Sequence, residues 1–312
     1  MKKIVFLDRD TFPKRLRLKK PDFKHSWKNY STTNKKDIPK RIKNANIIVV
    51  NKVILTRKDL KIAKNLELIA LSATGTNIID LDYCRKNNIK VCNLRNYASD
   101  AVAEHVFTLM LNLVKQIKGL EKDVAGDVWQ KKKVFALLNR KIFNLNNKKL
   151  GIIGKGSIGL KVSKIAKAFN MEVSFISARK LKNNELEKFL SKQDVVSLHC
   201  PLEKNTKNLI GLKELNSMKN SAIIINTARG GIINEDSLVK AIKSKIIAGA
   251  GIDVSTTEPP RKNHPYYKIN KKTNFIWTPH TAWAADETLT FALEQLIENI
   301  NSNYFGKAKN LV

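Results

Sequence analysis

Leu150-Gly151-Ile152-Ile153-Gly154-Lys155-Gly156-Ser157-Ile158-Gly159 is the stretch on which the reading of the fold turns. Leu150 to Ile153 reads as a short buried strand, and a helical pattern opens in the glycine turn and runs to about Asn170. Glycines at the first, third and sixth positions allow a tight turn, a close approach of backbone to pyrophosphate, and a helix packed hard on its strand. The helix N-terminus then faces the phosphates. A lone GxGxxG also arises as an incidental glycine turn, but flanked by strand and helix it predicts a dinucleotide site. Gly154, Lys155, Gly156, Ser157, Ile158 and Gly159 are its candidate residues. Lys155 either adds attraction for the pyrophosphate or points to solvent.

Outward from this turn, short β-rich runs alternate with helical patterns along the whole chain, which predicts a parallel α/β architecture. Downstream runs at Val173 to Ile176, Val195 to Leu198, Ala222 to Ile225, Ile247 to Ile252 and Asn274 to Trp277 complete a nucleotide-domain set. Upstream, Ile4 to Leu7, Ile47 to Val50, Leu66 to Leu71 and Ile89 to Cys92 predict a smaller α/β unit. Between them, Ala101, Val102, Val106, Leu109, Met110, Leu113, Val114 and Ile117 form a broad apolar arc on a helix from Ser99 to Gly119, with Ser99 or Asp100 able to cap it. So wide an arc predicts that a neighbouring subunit covers part of it. A last helical pattern, Asp286 to Asn301, is followed by no strand and is expected to return to the first unit. The fold class is therefore α/β, with two Rossmann-like domains of doubly wound parallel sheet. Residues 1–98 plus 285–312 make one domain, discontinuous in sequence, and residues 99–284 the other.

The chain has 312 residues, and its formal charge is 58 Lys and Arg minus 27 Asp and Glu, or +31. Such an excess raises the question of nucleic acid. However, the Lys residues are spread along the chain and Arg, which reads phosphates and bases best, is scarce. No nucleic-acid role is expected, though anionic metabolites would be attracted. With 43% apolar residues and no run near the roughly 20 needed for a bilayer span, neither disorder nor a membrane role is expected. Met1-Lys2-Lys3 is followed by too short an apolar stretch for a signal peptide, so the cytoplasm is the expected compartment. Cys84, Cys92 and Cys200 match no zinc spacing, so neither a metal nor a disulfide framework is expected.

Three segments place polar residues just beyond strands, where doubly wound sheets bind ligands. They are Asn226-Thr227-Ala228-Arg229-Gly230-Gly231, Asp253, and Thr278-Pro279-His280-Thr281-Ala282-Trp283, with Glu258-Pro259-Pro260 between the last two. Arg offers a planar fork for a carboxylate, and His backed by Glu offers a proton near neutral pH. These segments together with GKGSIG resemble the D-isomer-specific 2-hydroxyacid dehydrogenase family over essentially the whole chain. Ala73-Thr74-Gly75-Thr76-Asn77, Cys92-Asn93-Leu94-Arg95-Asn96-Tyr97 and His280-Thr281-Ala282-Trp283 look most like its glycerate dehydrogenase (hydroxypyruvate reductase) group.

The resemblance implies a flavodoxin-like substrate domain, a central nucleotide domain with a cleft between them, and a homodimer through the helix after Ser99. It implies hydride transfer between NAD(P)H and a small 2-oxo acid, hydroxypyruvate or glyoxylate first, giving D-glycerate or glycolate. Arg229 would grip the carboxylate and carbonyl oxygen, backbone amides near Thr74 and Gly75 would share the carboxylate, Glu258 would orient His280, and His280 would move the proton. Thr227, Ala228 and Asp253 would line the nicotinamide, with Asp253 on the carboxamide. His199, Pro201 and Thr206 are also assigned to the cofactor, His199 as a wall residue. Asn51 and Lys52 end a strand and either touch substrate or form a solvated turn. Trp129 is either an interface anchor or reaches a partner's site. His105 is expected to be a packed or interface residue, and His25 and His264 to belong to no constellation.

After the strand Val173 to Ile176 stand Ser177-Ala178-Arg179-Lys180, with no carboxylate to receive a ribose 2′-hydroxyl. Ser177, Arg179 and Lys180 therefore predict NADPH over NADH, NAD remaining possible. Other D-2-hydroxy acids of the family, phosphoglycerate or D-lactate among them, are the alternative substrates. A nucleotide-sensing corepressor is a further alternative, against which Arg229, Glu258 and His280 together argue. Glu258 also disfavours formate oxidation, because formate enzymes of the superfamily resemble one another in carrying Gln there.

Overall fold

Strands buried on both faces read as unbroken apolar runs, and Ile47-Ile48-Val49-Val50 is one, with every side chain out of water. In a computed structural model it is the centre of a sheet. The structure describes residues 1–179, 181, 184–270 and 273–312. They form two units, Met1–Tyr97 with Ala284–Val312, and Ala98–Trp283.

The first unit holds β1 (Lys2–Phe6), β2 (His25–Asn29), β3 (Ile47–Val50), β4 (Leu68–Leu71) and β5 (Lys90–Cys92). All are parallel, in the order β2-β1-β3-β4-β5. That is the flavodoxin-like order, in which the chain reverses direction across the sheet at β1 and β3. β2, read His-Ser-Trp-Lys-Asn, escapes the sequence reading because it is an edge strand with no fully buried residue. The helix Asp286–Tyr304 buries Leu289, Ala292, Leu293, Leu296, Ile297 and Ile300 and packs against β4. Its buried Asn299 donates to the carbonyl of Asn93 at 3.0 Å, so the last segment is fastened to the first unit by a polar contact as well as by apolar burial.

The second unit holds β6 (Lys149–Ile153), β7 (Glu172–Ile176), β8 (Val195–Leu198), β9 (Ile223–Asn226), β10 (Gly249–Ile252) and β11 (Phe275–Trp277), all parallel, in the order β11-β10-β9-β8-β6-β7. The order reverses between β6 and β8, so the loop that follows β6 opens at a topological switch point, where such sheets take ligands.

Two expectations for the long helix change. It spans Ser99–Lys115 with Ala98 at its N-cap and no side-chain cap; it closes at Gln116, whose φ of 50° is left-handed, before a second helix, Ile117–Ala125. Asp100 instead pairs with Lys161. The apolar arc is also covered from within: Ala103, Val106, Leu109, Met110, Leu113 and Val114 join one core with Leu150, Ile152, Val195, Ile223 and Ile225. Ile117, at the end of the arc, stays 48% exposed. Exposed apolar surface lies further on, at Val124, Trp129, Phe135 and Leu138, Phe135 being 99% exposed. Among the described residues no helix is long and apolar enough to cross a membrane.

Candidate active site

The glycine turn leaves β6 with Gly154 at φ +108°, and a Cβ there would lie 2.7 Å from the carbonyl carbon of His199. Only glycine allows the turn to lie this close to the end of β8. Around Gly156 nothing stands within 4 Å of such a Cβ, and Gly156 is the N-cap of the helix Ser157–Ala168. An open cradle at a helix N-terminus suits a pyrophosphate. Ser157 is exposed and Gly159 buried under the helix start. Lys155 turns aside, its Nζ 5.6 Å above the ring of Phe175.

At the end of β7, Ser177 and Arg179 are exposed, and the Arg179 guanidinium lies 3.8 Å from Glu203. Lys180 falls outside the described residues. His199 contacts Ser197 Oγ through Nε2 at 2.8 Å, and burial pushes its pKa down to about 4, so it is neutral near pH 7. Pro201 is exposed, whereas Thr206 is buried: its hydroxyl donates to the Pro201 carbonyl at 2.7 Å and accepts from Glu203 N at 2.7 Å. Thr206 thus shapes this loop from inside rather than offering its side chain to a ligand.

The loop after β9 is stapled by buried Asn226, which donates to the Arg229 carbonyl at 2.9 Å and accepts from Ala228 N at 3.0 Å. That holds Ala228 half-exposed and Arg229 exposed, its guanidinium donating to the Ala228 carbonyl at 2.7 Å. Thr227 is 7% exposed, and among the described residues its hydroxyl has no hydrogen-bond partner. An unsatisfied buried hydroxyl costs about 1–3 kcal/mol, so an orphan just beyond β9, on the same sheet edge as the cradle, fits a site that receives a polar group. Together the cradle and Thr227 fit a dinucleotide.

Asp253 follows β10 and is 1% exposed. Its carboxylate accepts from Thr278 Oγ1 at 2.6 Å, Thr281 N at 2.9 Å and Ala282 N at 2.9 Å. The group expected on a carboxamide is therefore committed to the loop that carries His280. His105 joins it, with Nε2 3.1 Å from Thr278 Oγ1 and 3.6 Å from Asp253, so its role extends beyond packing. The clamp matters because His280 sits at φ +56°, a left-handed conformation that costs a non-glycine residue of order 1 kcal/mol and persists only where its surroundings impose it. Within that clamp, His280 Nδ1 meets Glu258 Oε2 at 2.6 Å, and Glu258 Oε1 accepts from Ser255 N at 2.9 Å. The carboxylate thus accepts a hydrogen bond from Nδ1–H and leaves Nε2 for chemistry.

His264, expected to stand apart, is buried beside Glu235 and Trp277. No sequence signal joins residues so far apart in the chain. His25 contacts the Phe23 carbonyl in the first unit. There too, the loops after β3 and β4 carry Lys52 and Thr74, both exposed, with Gly75 half-buried. Asp8 accepts from the backbone N–H groups of Asn51, Lys52 and Val53. Asn93 donates to the Thr74 carbonyl at 2.7 Å. The three cysteines are buried and unpaired, and burial raises their thiols to about 11, 12 and 11 for Cys84, Cys92 and Cys200.

Residues 107–282 match the family model described as D-isomer specific 2-hydroxyacid dehydrogenase, NAD binding domain. The glycerate dehydrogenase of Methylorubrum extorquens is 39% identical over 100% of this chain and 99% of its own length. The hydroxypyruvate reductase of Blautia hydrogenotrophica is 31% identical over 90% and 89%. Among solved structures, the Aquifex aeolicus D-lactate dehydrogenase, complexed with NAD and lactic acid, superposes with a TM-score of 0.81 at 27% identity, covering 97% of this chain and 96% of that one.

Proposed function

This chain belongs to the D-isomer specific 2-hydroxyacid dehydrogenase family, and we propose that it reduces hydroxypyruvate or glyoxylate to D-glycerate or glycolate, with NADPH preferred over NADH. The observation that carries the catalytic assignment is the 2.6 Å contact between His280 and Glu258, on loops at the same sheet edge as Arg229. A bound nicotinamide supplies the hydride that the substrate carbon receives. His280 then gives its Nε2 proton to the carbonyl oxygen, and in the oxidative direction takes it back. Arg229, exposed on a stapled loop, holds the carboxylate through its planar fork and polarises the carbonyl. Gly154, Lys155, Gly156, Ser157, Ile158, Gly159, Thr227 and Ala228 are assigned to the cofactor, with His199 and Pro201 along its wall. In the first unit, Lys52, Thr74 and Gly75 are assigned to the substrate carboxylate. The substrate preference is supported by the likeness to the Methylorubrum and Blautia enzymes.

NADPH is favoured because the segment that follows β7 carries Ser177 and Arg179 and no Asp or Glu of its own, the nearby Glu203 lying 3.8 Å from the Arg179 guanidinium. A homodimer is proposed on the apolar surface around Trp129, Phe135 and Leu138 that follows the helix Ser99–Lys115, and the cytoplasm as its compartment. Steady-state rates for a panel of 2-oxo acids, each with NADH and NADPH, test the proposal. Fastest turnover of hydroxypyruvate or glyoxylate supports it, and a higher kcat/KM for pyruvate or a phosphorylated 2-oxo acid replaces the substrate.

A further inference from the structure

Glu235 opens the helix Glu235–Lys243 and is 9% exposed, yet it caps nothing in that helix, whose N-cap is Asn234. Its carboxylate instead crosses to the turn that carries Glu258, accepting from Thr256 N at 2.8 Å and from Thr256 Oγ1 at 2.8 Å. The same carboxylate lies 3.1 Å from Nε2 of His264, whose side chain is 2% exposed. The contact is too poorly aligned for a good hydrogen bond, for among the described residues Nε2 has no hydrogen-bond partner. His264 Nδ1 accepts from Tyr266 N at 3.3 Å, so a neutral ring carries its proton on Nε2, toward Glu235. The other side of the imidazole stacks on Trp277 at 5.0 Å and 25°. Trp277 ends β11 and is directly followed by Thr278-Pro279-His280.

We propose that Glu235 and His264 are positioning residues, a buried strut that holds the stalk of Glu258 to the stalk of His280. Each member of the strut grips one stalk: Glu235 holds Thr256, two residues before Glu258, and His264 lies against Trp277, three residues before His280. A purely apolar contact here would slide; the carboxylate fixes Thr256 by two directional bonds. A misplacement of about 1 Å at a reacting group costs around a hundredfold in rate, so the strut acts on turnover without touching substrate.

The inference rests on Glu258 and His280 being the acid pair, and the test separates the two. Glu235→Ala is expected to lower kcat at least tenfold on whichever 2-oxo acid the wild type reduces, while the Kd for NADH and NADPH, read by fluorescence titration, stays within twofold. In a Glu258→Gln background, the same substitution is expected to lower kcat less than twofold further, because the strut works through Glu258. Wild-type kcat in Glu235→Ala, or losses that multiply in the double variant, overturns the strut. Should Glu235→Ala not fold, Glu235→Gln and His264→Phe, which keeps a ring over Trp277, carry the same comparison. A wild type inert toward all 2-oxo acids overturns the proposed reaction instead. The strut is then decided by a crystal structure of the variant, where separation of His280 from Glu258 supports it and an intact 2.6 Å contact refutes it.

Discussion

His280 Nδ1 and Glu258 Oε2 lie 2.6 Å apart although 22 residues separate them in the chain. Glu258 is already aimed by its own turn, through the Ser255 N–H at 2.9 Å, so the imidazole docks onto a carboxylate that is held in place. His280→Asn is expected to lose about 10² to 10⁴ in kcat, the usual worth of a general acid, with cofactor affinity retained. Glu258→Gln keeps an acceptor for Nδ1–H but loses the charge that offsets imidazolium, so its loss should be smaller. Steady-state kinetics with a fluorescence titration of cofactor checks both; His280→Asn within tenfold of wild type transfers the proton to another group.

Asp253 holds the histidine loop in its left-handed turn by three hydrogen bonds. Asp253→Ala leaves two backbone N–H groups and a hydroxyl without their acceptor, at about 1–3 kcal/mol for each that stays buried. The expected outcome is a loss of about 3 kcal/mol in a denaturant titration together with collapse of kcat. A variant that keeps its stability but loses activity would show Asp253 acting on the ligand rather than on the loop.

The strands of both sheet centres were legible because burial on two faces makes each an unbroken apolar run, and the contact of Glu258 with His280 was legible because both stand in short motifs beyond strand ends. What escaped had no local signature. β2 is half-exposed and polar, and the arc on Ser99–Lys115 looked too wide only because the second unit's own sheet, which covers it, is assembled from residues far along the chain. Asp253 was found by its place after β10, but its hold on the His280 loop was not, since its three donors lie more than 20 residues away. His264 was set aside for the same reason: Glu235 and Trp277 join it only when β11 closes the sheet.

His199 gives the protein a pH-dependent stability. Its pKa drops from 6.5 to about 4 on burial, so between those values the unfolded chain binds more protons than the folded one, and stability rises with pH. The contribution is complete above about pH 6.5 and disappears as pH falls toward 4, with an upper bound of about 3 kcal/mol. Denaturant midpoints measured from pH 7.5 to 4.5 should fall more steeply for the wild type than for His199→Gln. Parallel curves would mean that His199 stays solvated.

The apolar surface beyond the first long helix has a physical consequence of its own. Phe135 at 99% and Leu138 at 88% exposure are an unfavourable way to leave large side chains in water, each worth about 1.5–3 kcal/mol when buried. Covered by a second copy, they would lie within an interface. Sedimentation is expected to show a dimer for the wild type at micromolar concentration and a shift toward monomer for the Phe135→Asp, Leu138→Asp double variant. A monomeric wild type rejects the dimer.

On the proposed preference for NADPH, cofactor choice is expected to turn on the end of β7. There Arg179 pairs with Glu203 at 3.8 Å, with the two side chains 72% and 44% exposed, an ion pair worth about 0–1 kcal/mol. A 2′-phosphate brings up to two charges and three acceptor oxygens to the same guanidinium, which outweighs so weak a partner. Glu203 would repel that phosphate, so the two residues would pull the preference in opposite directions. Arg179→Ala is expected to raise the KM for NADPH about tenfold and to leave the KM for NADH within twofold, whereas Glu203→Gln should lower the KM for NADPH severalfold. A wild type with the higher kcat/KM for NADH, or an unchanged KM for NADPH in Arg179→Ala, assigns this strand end to NAD and leaves Arg179 a solvated cation on a Lys-rich surface.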